Sequence, residues 1–175
     1  MHRLDTESGE TELVGKITAS DKNFVLNEPH MVELPNGRLI CHMRCENLEL
    51  FNGGDEKLFT VFQSVSDDSG KTWSTPEMLL DETGGAPPHL ILLSSGVLIS
   101  TYGRRKQPYG IMAMISLDGG MTWEKDIRLY ENTASDDIGY PSTVELDDGT
   151  LITVFYATES EDKPCVIMQQ KWKNF

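Results

Sequence analysis

The fold is decided by one stretch of sequence, Ser66-Asp67-Asp68-Ser69-Gly70-Lys71-Thr72-Trp73, because its pattern occurs a second time. The second copy is Ser116-Leu117-Asp118-Gly119-Gly120-Met121-Thr122-Trp123, and it begins 50 residues after the first. Both copies read Ser-x-Asp-x-Gly-x-Thr-Trp, where x is any residue. A pattern that returns after roughly 50 residues is typical of propellers, in which four-stranded sheets surround an axis. The spacing therefore predicts a propeller-like series of β-sheets.

A second pattern, Leu-x-x-Gly-x-Leu, occurs three times and predicts where the hairpins lie. Its copies are Leu34–Leu39, Leu93–Leu98 and Leu146–Leu151, each with a proline five residues before its first leucine. Glycine in a short turn supplies a positive φ at little steric cost, so each copy predicts a β-hairpin in which the two leucines pair. The flanks are rich in β-branched and aromatic residues, and no stretch shows a helical period. We therefore expect an all-β chain.

The two patterns together divide the chain into blade-like repeats at about 28–80, 87–130 and 140–175. The candidate third strands of these repeats are Leu58–Ser66, Gly110–Ser116 and Cys165–Gln169. The third repeat keeps a tryptophan, Trp172, but it has lost the aspartate and glycine of the turn. We interpret residues 1–27 as outer strands of a preceding blade, with Glu12–Thr18 and Phe24–Leu26 as candidates.

Chain length limits how much of a propeller is present. At roughly 50 residues per blade, 175 residues supply about three to four blades, whereas a closed propeller usually has about four to eight. Either the sequence is part of a longer chain, or copies of it associate to close the ring. The second case predicts self-association.

Composition narrows the class of partner. The formal net charge of −13 argues against nucleic acid and anionic membranes as partners. We find no apolar run long enough to span a membrane and no signal peptide, so a soluble protein is expected, in a compartment that the sequence leaves open. The three cysteines form no pattern and fit free thiols better than a disulfide framework.

No cofactor or metal is predicted. The first eight-residue copy lacks the alternating ligand spacing of a calcium loop. His42 lies between Cys41 and Met43 and points opposite to both on a strand, which disfavours a Cys/His metal site. His30 and His89 both follow a repeat proline, and we expect them to pack or to form local hydrogen bonds.

Three equivalent positions, each immediately before a repeat proline, are occupied by Glu28, Pro87 and Tyr140. If the hairpins are the innermost strands of their sheets, these positions face one another at one end of the axis. Pairing within the first hairpin adds Arg44 beside the glutamate. An acid, a phenol and cationic side chains would then share one pocket.

The second hairpin offers two cations, because Arg104 and Arg105 both lie opposite Pro87. Arg105 is preferred, since it has the same parity relative to its turn glycine as Arg44 has. Arg104 stays the alternative.

The eight-residue pattern resembles the Asp box of the sialidase (neuraminidase) superfamily and related propellers. Two full copies at blade spacing imply a β-propeller of sialidase type, with about three to four four-stranded antiparallel blades of a six-bladed ring. The motif alone does not imply activity, because many propellers that carry it are not sialidases. Its aspartate accepts hydrogen bonds from turn amides, so Asp68 and Asp118 are interpreted as structural.

The segments around the convergent positions resemble the C-terminal half of a sialidase. Asn27-Glu28-Pro29 with Met43-Arg44 looks like the segment of the catalytic glutamate and an arginine that binds carboxylate. Tyr102-Gly103-Arg104-Arg105 resembles the segment of the last triad arginine, and Gly139-Tyr140-Pro141-Ser142 resembles that of the nucleophilic tyrosine. The resemblance implies that Tyr140 is the nucleophile, Glu28 its base, and Arg44 with Arg105 the carboxylate clamp.

The chemistry of a sialoside explains why these residue types belong together. Its anomeric carbon carries a carboxylate, which arginine can bind through two parallel hydrogen bonds. A carboxylate nucleophile would be repelled there, and sialidases use a tyrosine instead, whose proton a neighbouring glutamate can take. The resemblance therefore implies a retaining exo-glycosidase that acts on terminal sialic acid or a related acidic sugar.

The sequence also departs from the family. The family's first triad arginine and its aspartate acid/base lie in the N-terminal half, and no such segment precedes Phe24. Asp136 and Asp137 lie close to Tyr140, but an acidic loop at a strand start is usually only solvated. We therefore expect an active site that this chain alone does not complete. Two alternatives are open: a non-catalytic Asp-box propeller that binds an acidic glycan or a protein partner, and a purely structural fragment.

Overall fold

The computed structural model describes residues 2–47, 58–80, 87–160 and 162–173. Every regular secondary-structure element in these residues is a β-strand. Parts of the first and third predicted repeats, 48–57 and 174–175, lie outside the described residues. The strands are β1 (His2–Leu4), β2 (Thr11–Leu13), β3 (Phe24–Glu33), β4 (Leu39–Asn47), β5 (Phe59–Ser66), β6 (Glu77–Met78), β7 (His89–Leu92), β8 (Leu98–Arg104), β9 (Gly110–Ser116), β10 (Glu124–Tyr130), β11 (Gly139–Glu145), β12 (Thr150–Ala157) and β13 (Val166–Lys173). The prediction of an all-β chain is confirmed.

Three sheets follow one another along the chain, beside a separate β1-β2 pair. Sheet 1 has the order β3-β4-β5-β6, sheet 2 the order β7-β8-β9-β10, and sheet 3 the order β11-β12-β13. All neighbouring strands are antiparallel. Sheets 1 and 2 therefore have the four strands expected of a blade, whereas sheet 3 has three strands among the described residues. Both eight-residue turns connect the third and fourth strands of their sheets.

The first strand of sheet 1 extends further towards the N-terminus than the sequence suggested. β3 begins at Phe24, which pairs with Asn47 of β4. The assignment of Phe24–Leu26 to a preceding blade is therefore wrong. That assignment let a new strand begin near Pro29, because prolines often occupy the first position of a strand. Here the strand continues through Pro29 by a shift in register between Asn27 and His30.

The three hairpins pair one residue out of the predicted register. The Leu34 N–H donates to the Arg38 carbonyl at 2.8 Å, and Glu33 rather than Leu34 pairs with Leu39. The other two hairpins repeat this arrangement. The reason is the turn glycine: with φ of 84°, Gly37 forms the bulged end of a three-residue loop instead of half of a two-residue turn.

The apolar core lies between the stacked sheets. On β8, Leu98 packs with Ile40 of sheet 1, whereas its neighbour Ile99 packs with Leu151 of sheet 3. Successive residues of a strand point to opposite faces, so a sheet covered on both sides needs apolar residues at nearly every position. That requirement explains the unbroken apolar run of β9, in which every residue is buried.

Each eight-residue turn is closed by its own side chains. In the second copy, Asp118 Oδ1 accepts the Thr122 N–H at 2.9 Å and Oδ2 accepts the Thr122 hydroxyl. The Ser116 hydroxyl donates to Asp118 at 2.8 Å and accepts the Gly120 N–H at 2.9 Å. The first copy makes the same contacts. These bonds, that from the threonine hydroxyl first, lower the pKa of Asp118 to about 2.

Two histidines join neighbouring sheets beside the repeat prolines. His30 Nδ1 in sheet 1 accepts the Leu90 N–H of sheet 2, and His89 Nδ1 in sheet 2 accepts the Thr143 N–H of sheet 3, each at 3.2 Å. The two rings are in contact, with centroids 4.2 Å apart and planes tilted by 45°. Burial lowers the pKa of both histidines, that of His89 to about 4, and so favours the neutral ring that can accept at Nδ1.

Candidate active site

Glu28 and Tyr140 share an uncommon backbone conformation. Their φ values are 48° and 50°, in the left-handed region that side chains other than glycine seldom adopt. Each residue lies directly before a repeat proline, at a point where its strand shifts register against the neighbouring strand. A bulge of this kind changes the direction in which a side chain points. Backbone strain of this type is concentrated at functional sites and needs support from surrounding structure.

The side chains of these two residues meet although they belong to sheets 1 and 3. The Tyr140 hydroxyl donates a hydrogen bond to Glu28 Oε1 at 2.7 Å. This bond is the largest cause that raises the pKa of Tyr140, because a phenol beside a carboxylate is more stable in its neutral form. The phenol is 49 % exposed, so solvent and a ligand can reach it. The arrangement can pass the phenol proton to the carboxylate.

Arg44 on β4 lies against the same glutamate. Its Nη1 is 2.7 Å from Glu28 Oε2, and its Nε is 2.5 Å from Glu46 Oε1. Both contacts are ion pairs at close range, although Glu28 Oε2 and Arg44 Nε lack the angles of a hydrogen bond. The guanidinium also lies 5.1 Å from the centre of the Phe59 ring, within range of a cation–π contact. Arg44 is therefore held on several sides.

Arg105 reaches the site from sheet 2. Its Nε donates to the Ile138 carbonyl at 2.9 Å, and its Nη2 donates to the Tyr156 hydroxyl at 2.6 Å. Sheets 2 and 3 approach closely here because two glycines face each other: a Cβ on Gly103 would lie 3.0 Å from the Gly139 Cα. The Tyr156 ring lies beside the Tyr140 ring, with centroids 5.9 Å apart. Arg105 is thus connected to the tyrosine–glutamate pair through Tyr156.

Arg104 is the last residue of β8, and its side chain points away from the side on which Arg105 reaches the site. Its hydrogen bonds go to the carbonyls of Lys106 and Gln107, and its nearest carboxylate is Asp126 at 4.0 Å. It lines a separate cavity of about 330 Å³ together with Tyr109 and Arg128. The structure therefore brings together Glu28, Arg44, Arg105 and Tyr140 and leaves Arg104 outside. The third equivalent position, Pro87, supplies no polar group.

Sequence reasoning missed Glu46 and Tyr156. Glu46 lies two residues after Arg44 on the same face of β4, so strand alternation could have identified it. Tyr156 pairs across the strands with Gly139, which adjoins Tyr140, but only the observed register shows this. Asp137, considered as a substitute acid, accepts from the Cys165 thiol at 2.9 Å, and that bond is the largest cause that lowers its pKa. A proton donor at neutral pH needs the opposite shift.

The remaining cavities and clusters do not belong to this site. An apolar cavity of about 410 Å³, lined by Ile17, Met43 and Trp73 among others, lies on the other face of β4. His42 is fully buried and contacts Ser100 at 2.9 Å, and all three cysteines are free thiols. Within residues 2–47, 58–80, 87–160 and 162–173, no three His, Cys, Asp or Glu side chains are placed to hold a metal ion.

Comparison with known proteins identifies the family. The sequence profile of the BNR repeat-like domain matches residues 1–154. The chain belongs to the BNR repeat-like family. A search of curated proteins found no significant match to this BNR repeat-like chain. In the part of the chain that the structure describes, no helix is long and apolar enough to cross a membrane.

Solved structures similar to this BNR repeat-like chain include glycosidases. A Dyadobacter fermentans protein of unknown function has a TM-score of 0.78 at 26 % identity, over 95 % of this chain and 43 % of its own. The Hadza microbial sialidase Hz136 has a TM-score of 0.66 at 15 % identity, over 95 % of this chain and 37 % of its own. The GH93 α-L-arabinofuranosidase of Fusarium graminearum has a TM-score of 0.65 at 19 % identity, over 95 % of this chain and 52 % of its own.

These likenesses support the predicted fold, a β-propeller of sialidase type, which the sialidase and the arabinofuranosidase structures share. The chain spans about half the length, or less, of these three structures. The match to the BNR repeat-like domain confirms the predicted resemblance to the Asp-box propellers of the sialidase superfamily and related propellers.

Proposed function

We propose that this chain carries the Tyr–Glu part of a retaining exo-glycosidase site, with Tyr140 as nucleophile and Glu28 as its base. One observation carries the proposal: the 2.7 Å hydrogen bond between Tyr140 and Glu28, made by two residues that share a left-handed backbone before a repeat proline. A structural role alone does not account for a half-exposed phenol–carboxylate pair that requires backbone strain at both residues.

The chemistry follows from that contact. As the phenol oxygen of Tyr140 forms a bond to the anomeric carbon, its proton passes to Glu28, and the bond to the leaving-group oxygen breaks with its electron pair. Water then attacks the anomeric carbon of the glycosyl–tyrosine intermediate, and the bond to the Tyr140 oxygen breaks with its electron pair. The phenolate takes its proton back from Glu28, and the proton that the water loses passes through solvent to the released aryloxide. An aryloxide leaving group departs without protonation, so an aryl glycoside tests this pair without a separate acid.

The proposed substrate carries a terminal acidic sugar, sialic acid or a relative. Two cations, Arg44 and Arg105, lie on either side of the tyrosine–glutamate pair, and guanidinium groups bind carboxylates through paired hydrogen bonds. One structural neighbour is a sialidase. The alternative proposal is binding of an acidic glycan or a protein partner without turnover, which the engagement of both arginines by protein groups favours.

Intact-protein mass spectrometry tests the proposal. The full-length protein is mixed with an aryl sialoside whose ring carries a fluorine next to the reacting carbon, which slows release of the intermediate. We expect a mass increase of one fluorosialosyl group, which peptide mapping locates on Tyr140, together with release of one equivalent of phenol. An adduct on another residue contradicts the nucleophile assignment. Saturable binding without phenol release supports the binding alternative.

We also propose that copies of the chain, or further blades, cover the outer face of sheet 3. Three apolar side chains on this face, Val144, Val154 and Ile167, are 52 %, 39 % and 78 % exposed. Cross-strand pairing places them on one surface, and contiguous apolar surface favours association. Sedimentation of this 175-residue chain should show concentration-dependent association, which Ile167→Lys weakens. A monomer at all concentrations contradicts self-association.

A further inference from the structure

Glu46 is the most deeply buried carboxylate of the site. Its side chain is 4 % exposed, whereas the side chains of Arg44 and Glu28 are 17 % and 29 % exposed. A buried carboxylate is unfavourable unless it is paired, and an apolar side chain would fill the same space at less expense. A structural account of the position therefore needs more than packing.

The contacts of Glu46 place it behind Arg44. Its Oε1 meets Nε of the guanidinium, while Nη1 of the same guanidinium meets Glu28. Arg44 is thus held between two carboxylates, one buried and one in contact with the Tyr140 hydroxyl. A planar guanidinium that has one carboxylate against Nε and another against Nη1 keeps little rotational freedom.

Glu46 adds a second negative charge beside Arg44. Two carboxylates, Glu28 and Glu46, contact the Arg44 guanidinium, while Arg105 interacts with the charge of Asp137. Without Glu46, Arg44 would face one carboxylate only, and the potential next to the phenol would be more positive. Glu46 therefore limits how strongly the site attracts an anion.

We propose that Glu46 is a positioning residue, which holds the Arg44 guanidinium against Glu28 and offsets its charge at Tyr140. The inference rests on the proposed function for the role of Tyr140 and of the anionic sugar, but its first test needs no substrate. Burial is the largest cause that raises the pKa of Glu46, Arg44 and Arg105 lower it, and Glu28 raises it.

Two substitutions separate holding from charge. Glu46→Gln keeps an oxygen next to Arg44 Nε but removes the charge. Glu46→Leu removes both. The matched control is Glu131→Gln, because Glu131 is also paired with an arginine, Arg128 at 2.9 Å, at a place away from the site.

The first measurement is the titration of Tyr140 without ligand. The protein is labelled with 3-fluorotyrosine, whose lower phenol pKa brings the titration into a milder alkaline range, and followed by ¹⁹F NMR. The Tyr140→Phe spectrum assigns the signal among the five tyrosines. We expect Glu46→Gln to lower the pKa of the Tyr140 phenol, Glu46→Leu to lower it less because Arg44 is released, and Glu131→Gln to leave it unchanged.

The second measurement is binding of N-acetylneuraminic acid, with glucose as the neutral comparison. Glu46→Gln should bind the acid about tenfold more tightly than the natural protein, since one offsetting charge is gone, while binding of glucose is unchanged. Glu46→Leu should lose most of this gain.

The outcomes are distinguishable. A Tyr140 titration that Glu46→Gln does not shift, or equal shifts with Gln and Leu, overturns the inference. The expected titration shifts with no binding of the acid in any variant support the inference and overturn the proposed substrate. Should Glu46→Leu not fold, Glu46→Gln against Glu131→Gln still decides the charge effect.

Discussion

The Asp boxes and the positions before the repeat prolines are both repeated features, yet the chain treats them differently. The two boxes keep the same five residue types, and their serine, aspartate, glycine and threonine make the same hydrogen bonds in sheets 1 and 2. The pre-proline positions keep their place in the fold but carry Glu28, Pro87 and Tyr140, three side chains with different chemistry. Two of these three have a strained backbone and contact each other.

The comparison teaches which repetition indicates structure and which indicates function. The aspartate and serine of a box satisfy the amides of their own turn, although the second box also bonds to Gln63 of sheet 1 through Trp123 and Gly120. A pre-proline residue is directed away from its own sheet by the bulge and finds its partner two sheets away. Identical residues at repeated positions thus support each sheet, and different residues at repeated positions build one site.

The largest effect is expected from Tyr140→Phe. Removal of the nucleophilic oxygen should reduce kcat for an aryl sialoside by about 10³-fold or more in the full-length protein, while the ring still packs beside Tyr156. Stopped assays of phenol release measure this. The matched control is Tyr130→Phe, which also removes a hydroxyl, one that donates to the Asn132 carbonyl, and should keep full activity. Equal activity in both variants would contradict the assignment of Tyr140 as the nucleophile.

The next effect is expected from Arg44→Ala. Loss of a charge-assisted contact should weaken binding of the acidic sugar by about 10- to 100-fold. Because Glu28 then lacks its ion-pair partner, we also expect the pKa of Tyr140 to rise further, since Arg44 now lowers it. Calorimetry with N-acetylneuraminic acid measures the first effect. Arg104→Ala is the control, and weaker binding in that variant as well would show that the effect is not confined to the arginines of the site.

A moderate effect, on stability alone, is expected from Asp118→Ala. The substitution leaves turn amides without their acceptor and should lower Tm by a few degrees. Activity should stay within about twofold of the natural protein, because the turn lies outside the site. Asp68→Ala should behave in the same way. A large loss of activity at unchanged Tm would contradict the structural interpretation of the boxes.

The smallest effect is expected from mild acid. It should lower stability through the histidine beside the repeat proline, His89, and leave the Asp-box aspartates ionised. Burial lowers the pKa of His89 from 6.5 to about 4, so the unfolded chain binds more protons between these values and stability falls as the pH drops through this range. The box aspartates have pKa values of about 2 and should stay ionised there. Denaturant unfolding from pH 7 to 4 measures the slope. His89→Asn should make it shallower, and an unchanged slope would contradict this assignment.

Much of the fold follows from the sequence, because spacing alone places sheets. The Asp-box interval located the third and fourth strands of two sheets, and β9 begins and ends at the predicted residues, Gly110 and Ser116. The register was wrong by one residue, because Leu-x-x-Gly-x-Leu does not distinguish a two-residue turn from a three-residue loop with a bulged glycine. Such a distinction depends on backbone angles that several residue types allow.

The site was predictable where repeats are equivalent and was missed where contacts depend on register. Glu28 and Tyr140 could be grouped by their place before a proline. Glu46 and Tyr156 belong to no repeated pattern, and their roles arise only from the side chains beside them, Arg44 and Arg105. The pair of Arg105 and Tyr156 joins residues far apart in the chain, and such pairs are set by how the sheets pack.

The hydrogen bonds that His30 and His89 accept from the next sheet give the series of sheets a direction. Each histidine ring accepts a hydrogen bond from a backbone N–H of the following sheet. Sheet 1 therefore accepts from sheet 2, and sheet 2 accepts from sheet 3. Ser142 occupies the corresponding place in sheet 3, and a hydroxyl oxygen can also accept. Met31 is the residue of sheet 1 that corresponds to Leu90 and Thr143, whose amides are the donors. The two ends are therefore unlike, and a further sheet of this kind can continue the series head to tail but not head to head.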